Sequence, residues 1–168
     1  MQPGLIQLAL TMFAALQTIY YYNKLPPRIA SHFGAGGAAN GWSSTSSFFV
    51  TYWIVIAVVF AVSLGIPTLI GKLPPSQINL PNKDFWLSPE MYPQTLARFR
   101  AYFRWFGALL LLFLVLVFQM VFQANLSNNP ALGPWFIPVL IGFLVTVIIW
   151  VIMFRRQFSR NQMNRVRS

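Results

Sequence analysis

Apolar residues run in four long blocks separated by polar, proline- and glycine-rich segments. The blocks cover about 5–22, 48–70, 101–122 and 135–154, and each reaches the roughly 20 residues a helix needs to cross a bilayer. No charged side chain lies deep in any of them. The first is the least apolar, being interrupted by Gln7, Thr11, Gln17 and Thr18. The second carries Pro67 near its end, and the centre of the third, from Leu109 to Val117, is almost wholly Leu, Val and Phe. The pattern predicts a single all-α membrane domain over 1–168: a four-transmembrane-helix bundle with a basic tail at 155–168.

The segments between the blocks have distinct chemistry. Pro26-Pro27 and Pro74-Pro75 stop the first two helices, because consecutive prolines cannot continue one. The first connection, 23–47, is long and glycine-rich, and Asn40-Gly41 predicts a tight turn there. Ser46 or Ser47 is the expected N-cap of the second span. The second connection, 71–100, is proline-rich and reads as irregular as far as Leu87. Ser88-Pro89-Glu90 reads as a helix start, with a kink or restart at Pro93 and a continuous helix from Gln94 into the third span. The third connection, 123–134, is short and uncharged. The first block is expected to be a retained helix, since no positive charge precedes it and it ends in three tyrosines, Tyr20 to Tyr22. Those tyrosines, with Tyr52, Trp53, Trp105 and Trp135, suit an interfacial aromatic belt.

Composition narrows the class further. Of 168 residues, 57% are hydrophobic and only 8% charged, where soluble domains carry about 25%. The chain has no cysteine, one histidine and two acids, which excludes a disulfide scaffold and a thiolate metal site. Lys72, Lys83, Arg98, Arg100 and Arg104 of the second connection lie on the same side as the tail arginines 155, 156, 160, 165 and 167. Lys24 and Arg28 are the remaining two of twelve cations. By the positive-inside bias both termini are cytoplasmic (N-in/C-in), with the glycine-rich loop outside. The expected location is a bacterial cytoplasmic (inner) membrane, as a multi-pass protein. Arg100, Arg104, Arg155, Arg156 and Arg160 are the expected contacts to anionic lipid headgroups of the inner leaflet, and nucleic acid is not an expected partner.

Candidate chemistry is sparse. Ionisable groups at depth would mark proton or ion paths, and none is present, which argues against an autonomous transporter or pump. Gln7, Gln17, Thr18, Ser63, Thr68, Gln119 and Thr146 are expected to hydrogen-bond between helices. His32, in the outer loop, has no second ligand or orienting acid on its own side, so no catalytic residue, metal or cofactor is expected. It either hydrogen-bonds the turn backbone or, with Phe33 and Trp42, contacts a partner or ligand. Asp84 and Glu90 are expected in local salt bridges or capping, and Asn125-Leu126-Ser127 is a formal glycosylation sequon.

Leu25-Pro26, His32-Phe33, Gly37, Asn40-Gly41 and Trp42 resemble the signature of a bacterial membrane-domain family of unknown function, which also forms the N-terminal part of SdpI-type toxin-immunity proteins. Residues 78–83, Trp86-Leu87 and Pro89-Glu90 resemble its second block. The chain departs from the family pattern at Gly34, Gly36 and Ala39, where Asn, a polar residue and Pro are usual. The resemblance implies a non-enzymatic, SdpI-like binding or regulatory module with a protein partner. An accessory structural subunit on a larger membrane complex, respiratory or photosynthetic, is the alternative, and a small transporter is a third.

Overall fold

A computed structural model describes residues 2–159, so Arg160, Arg165 and Arg167 lie outside the described residues. Among the described residues four helices are long and apolar enough to cross a membrane: α1 (Pro3–Tyr21), α2 (Thr45–Ile70), α3 (Tyr92–Ala124) and α4 (Phe136–Gln157). The helix ends differ modestly from those expected. The cap of α2 is Ser44, whose Oγ accepts from the Ser47 N–H at 3.2 Å, rather than Ser46 or Ser47. Ser88-Pro89-Glu90 forms a turn instead of a helix start, and α3 begins at Tyr92 with Pro93 in its first turn.

The first connection departs most from expectation. It folds into an antiparallel hairpin of β1 (Arg28–Phe33) and β2 (Ala39–Ser44), adding a small sheet to an otherwise helical chain. Its turn is Gly34–Gly37, where Gly37 has φ +79°, and not Asn40-Gly41. Asn40 and Gly41 lie inside β2, because Gly41 pairs with His32. A Cβ at Gly41 would sit 2.8 Å from the His32 Cβ, so only glycine fits under that ring.

The core lies between α1, α2 and α3. Gly107 of α3 faces Gln7 of α1 and Ser63 of α2, and a Cβ there would lie 2.5 Å from the Gln7 amide nitrogen and from the Ser63 Cβ. Small residues allow such approach in membranes, where burial from lipid gives little drive and close packing supplies the attraction. Ser63 sits in a wide turn of α2, Ala61–Gly65, three residues before the second half resumes at Ile66. Pro67 cannot donate to the helix ladder, and a π turn just before it relieves the clash of its ring with the backbone.

Nearer the hairpin, buried amides link the three helices. Tyr52 donates to Gln17 Oε1 at 2.6 Å, Gln17 Nε2 donates to Gln119 Oε1 at 2.9 Å, and Gln119 Nε2 donates to the Tyr21 hydroxyl at 2.7 Å. Tyr21 and Tyr52 are therefore core residues rather than members of an interfacial belt. Their hydroxyls are satisfied inside the bundle, so burial leaves no orphaned polar group. Tyr20, Tyr22, Trp105 and Trp135 remain exposed. The expected interhelical bonds form for Gln7, Gln17, Thr18 and Gln119, whereas Thr68 and Thr146 bond back to carbonyls four residues earlier in their own helices.

α4 packs on the opposite flank of α3 through rings. Phe143 stacks on Phe113 at 4.0 Å, and Trp150 meets Phe106 at 4.8 Å. None of its residues is buried. Its C-terminal end is held by the second connection, which is ordered around Trp86 and a short helical turn, Lys83–Trp86. Trp86 Nε1 and Asn82 Nδ2 both donate to the Phe158 carbonyl, at 3.2 and 3.0 Å, and Arg98 donates to the Gln157 carbonyl at 3.4 Å. The carbonyls that a helix leaves orphaned at its end are thus capped from a distant loop, with a cation at the negative end of the dipole.

Candidate functional site

The hairpin is fixed to the bundle from three sides. Asn125, just past the end of α3, accepts from the Ala30 N–H at 2.7 Å and donates to the Ala30 carbonyl at 2.9 Å and to the Val121 carbonyl at 2.9 Å. The sequon asparagine is therefore a buried structural clasp with its amide fully engaged, not a surface acceptor. At the base, Thr45 donates from its backbone N–H to Pro27 and from its hydroxyl to Pro26. At the tip, Leu132 N–H donates to Gly37 at 2.9 Å and Ala39 N–H to Pro130 at 3.2 Å, stitching the first connection to the third. Ile29 inserts below, into the cluster of Tyr21, Phe48, Phe49 and Phe122.

Beneath this hairpin lie two clefts that meet at Ser31, His32, Val117 and Val121. One, of about 390 Å³, is bounded by Ser31, His32 and Ser43 of the hairpin and by α2 and α3. The other, of about 540 Å³, runs under the Gly34–Gly37 tip to Leu132 and the start of α4 at Phe136 and Ile137. Neither is lined by a charged carboxylate, lysine or arginine. Ser43 Oγ is buried without a hydrogen-bond partner among the described residues. An orphaned hydroxyl is uncommon in a folded interior, so this one marks the cleft as chemically unfinished.

The structure separates the three residues singled out at the hairpin. His32 and Phe33 line the tip cleft. Trp42 does not; the irregularity between Ala30 and His32 pairs Trp42 with Ala30 and Gly41 with His32, so Trp42 and His32 point to opposite faces. Trp42 is about half exposed. Among the described residues the imidazole makes no hydrogen bond to the turn backbone; it lies over Gly41 instead. Ser31, Ser43 and Ser47 are site residues that the sequence reading missed. Serines in a loop carry no distinguishing signal until the fold turns them to one cleft.

At the opposite end, Arg100, Arg104, Arg155 and Arg156 are all exposed, while Arg98 is drawn inward over the Trp86 ring at 4.9 Å. Among the described residues neither Asp84 nor Glu90 is in a salt bridge. The Glu90 carboxyl is held below the ordinary carboxyl range by its own backbone N–H and by the Ser88 hydroxyl, contacts within the turn before α3 rather than a helix cap, since Met91 is the N-cap and no side chain caps it. Both acids sit at this end and the single histidine at the other. Among the described residues no three His, Asp or Glu side chains gather as metal ligands would.

Four membrane-length helices define a multi-pass membrane protein by length and composition. Residues 9–58 match the family model described as Domain of unknown function (DUF1648), so that domain is present from the middle of α1, through the hairpin, to the middle of α2. The second motif block, 78–90, lies beyond the match. No curated protein and no solved structure matches the chain.

Proposed function

We propose that the chain is a non-enzymatic bacterial inner-membrane module of the SdpI-like binding or regulatory type, with its hairpin face as the contacting surface. The observation that carries this reading is the hairpin itself. Loops are usually the mobile part of a membrane bundle. Here Asn125, Thr45 and the third connection hold the loop rigidly over a cleft whose hydroxyls are not all paired. The domain match includes the whole hairpin, in keeping with a role for this element. In this reading both termini are cytoplasmic, the hairpin faces outward, and the exposed arginines at the other end contact anionic lipid.

Two measurements test it. The chain has no cysteine, so single substitutions report topology cleanly. Ala35→Cys in intact cells is expected to react with a membrane-impermeant maleimide, and Asn79→Cys only after lysis. The reverse pattern would invert the hairpin face and end the reading. The mass of the protein extracted gently from its own membrane is the second. A monomer or small homo-oligomer is expected. A fixed larger assembly containing other chains favours the second reading, an accessory subunit of a larger complex, for which α4 and its unburied residues would supply the contact.

A further inference from the structure

The cleft between the hairpin, α2 and α3 has a composition that selects its ligand. Four side chains on its walls can donate a hydrogen bond: the hydroxyls of Ser31, Ser43 and Ser47 and the His32 ring. None of the four has a side-chain hydrogen bond among the described residues, and Ser43 Oγ is buried. Thr51, the fifth polar side chain, is already committed to the Ser47 carbonyl at 3.0 Å. The floor is apolar, formed by Phe48, Val117, Phe118 and Val121. A ligand here must present uncharged oxygen acceptors beside hydrocarbon, since no cation lines the cleft to pair with a phosphate or carboxylate.

The depth of the cleft is equally restrictive. Ser47 and Phe48 lie in the first turn of α2, and Val121 in the last turn of α3. Helix ends of this kind sit where headgroups give way to acyl chains. Val117 and Phe118 continue the floor one turn deeper along α3, and Thr51 is exposed on the flank of α2. The cleft therefore opens toward the level at which the ester carbonyls of a glycerolipid lie.

We infer that the cleft holds the ester region of one glycerolipid. Its neutral carbonyls accept from Ser43, Ser47, Ser31 and His32, and its acyl chains leave along Val117 and Phe118. This rests on the reading of the hairpin face as a binding surface and names the ligand class for it. Recognition is of the ester linkage and is indifferent to the headgroup.

The test uses the full chain in mild detergent, with bound lipid counted by native mass analysis. The probes are diacyl phosphatidylglycerol, its ether-linked dialkyl counterpart and diacylglycerol. The wild type is expected to retain one molecule of phosphatidylglycerol and of diacylglycerol alike, and the ether analogue about tenfold less, as loss of one or two hydrogen bonds predicts. The double variant Ser43→Ala with Ser47→Ala should bring the diacyl lipids down to the ether value. Neither serine hydroxyl has a partner among the described residues, so that variant is expected to fold. Ser47→Phe, which fills the cleft, should abolish retention. Equal retention of ester and ether lipids, retention that requires the charged headgroup, or variants that bind as the wild type does would each overturn the inference. A photoreactive Thr51→p-benzoylphenylalanine, at the exposed rim of the cleft, separates the two levels of the argument in native membranes. A lipid adduct supports the inference. A peptide or protein adduct in its place overturns the lipid while the binding-surface reading stands, and the absence of any adduct removes both.

Discussion

α1 and α4 lie on opposite flanks of α3 and are held by different forces. α1 is the least apolar of the four long helices, yet it is bonded into the bundle by Gln7, Gln17 and Thr18. α4 is the most apolar and buries nothing, touching α3 through stacked rings and relying on Trp86 and Arg98 at one end and on the hairpin tip stitched to its leading loop at the other. In lipid an apolar helix gains little by burying Leu or Ile against a neighbour, because the acyl chains already solvate it. Amides and close backbone approach decide which helices form the core. Greater hydropathy therefore marks the helix that stays with the lipid.

The sharpest way to break this contrast is to make one substitution on each flank. Gly107→Ala places a methyl against Gln7 and Ser63 and is expected to cost about 1–3 kcal/mol in a reversible detergent–denaturant titration. Gly142→Ala on α4 meets open space and should be neutral or stabilising by up to about 1 kcal/mol, from helix propensity alone. Equal costs would mean that α4 packs as tightly as α1.

Asn125→Ala should come close behind. It strips partners from the Ala30 N–H and carbonyl, at about 1–3 kcal/mol for a buried group left unpaired. Amide exchange at Ala30 should accelerate, while exchange in α4 should not change. Protection unchanged at Ala30 would show that the clasp is not what holds the hairpin.

Trp86→Phe keeps most of the ring and removes one donor from the end of α4, a loss of about 1 kcal/mol. Its expected signature is faster exchange in the last turn of α4 with the Gln17–Tyr52 network unaffected. Propagation into that network would mean the two flanks are coupled.

The smallest effect concerns Glu90. Its carboxyl titrates below the ordinary range in the folded chain, so ionised Glu90 favours folding above its unfolded pKa. That contribution is lost as pH falls through the lower folded value. Glu90→Gln should lower stability slightly at neutral pH, leave the acid end unchanged, and so flatten the acid limb. An acid limb identical to that of the wild type would mean that the turn contacts of Glu90 do not favour its ionised form.

Much of this fold is legible in the residues themselves. Four uninterrupted apolar stretches leave a bilayer-length helix as the only way to satisfy their backbones in lipid. Paired prolines end the first two, and the last two helices begin and end within a few residues of expectation. Segment 28–44 was opaque because its turn signals competed: Asn40-Gly41 has the stronger local propensity, but the Gly41 site beneath His32 and the stitch to residues 130–132 place the turn at Gly34–Gly37. Likewise, an interfacial tyrosine and a core tyrosine look identical until Gln17 and Gln119 come within reach.

The sequence by itself determined the number and length of the apolar helices, the charge asymmetry and the signature residues of the domain. These depend on local composition, which the lipid environment reads directly. Only the tertiary structure decided that α1 is core and α4 peripheral, that Asn125 is a clasp, and that Ser31, Ser43 and Ser47 share a cleft with His32. Each of those is a contact between residues distant in the chain, and its energy exists only once the helices have met.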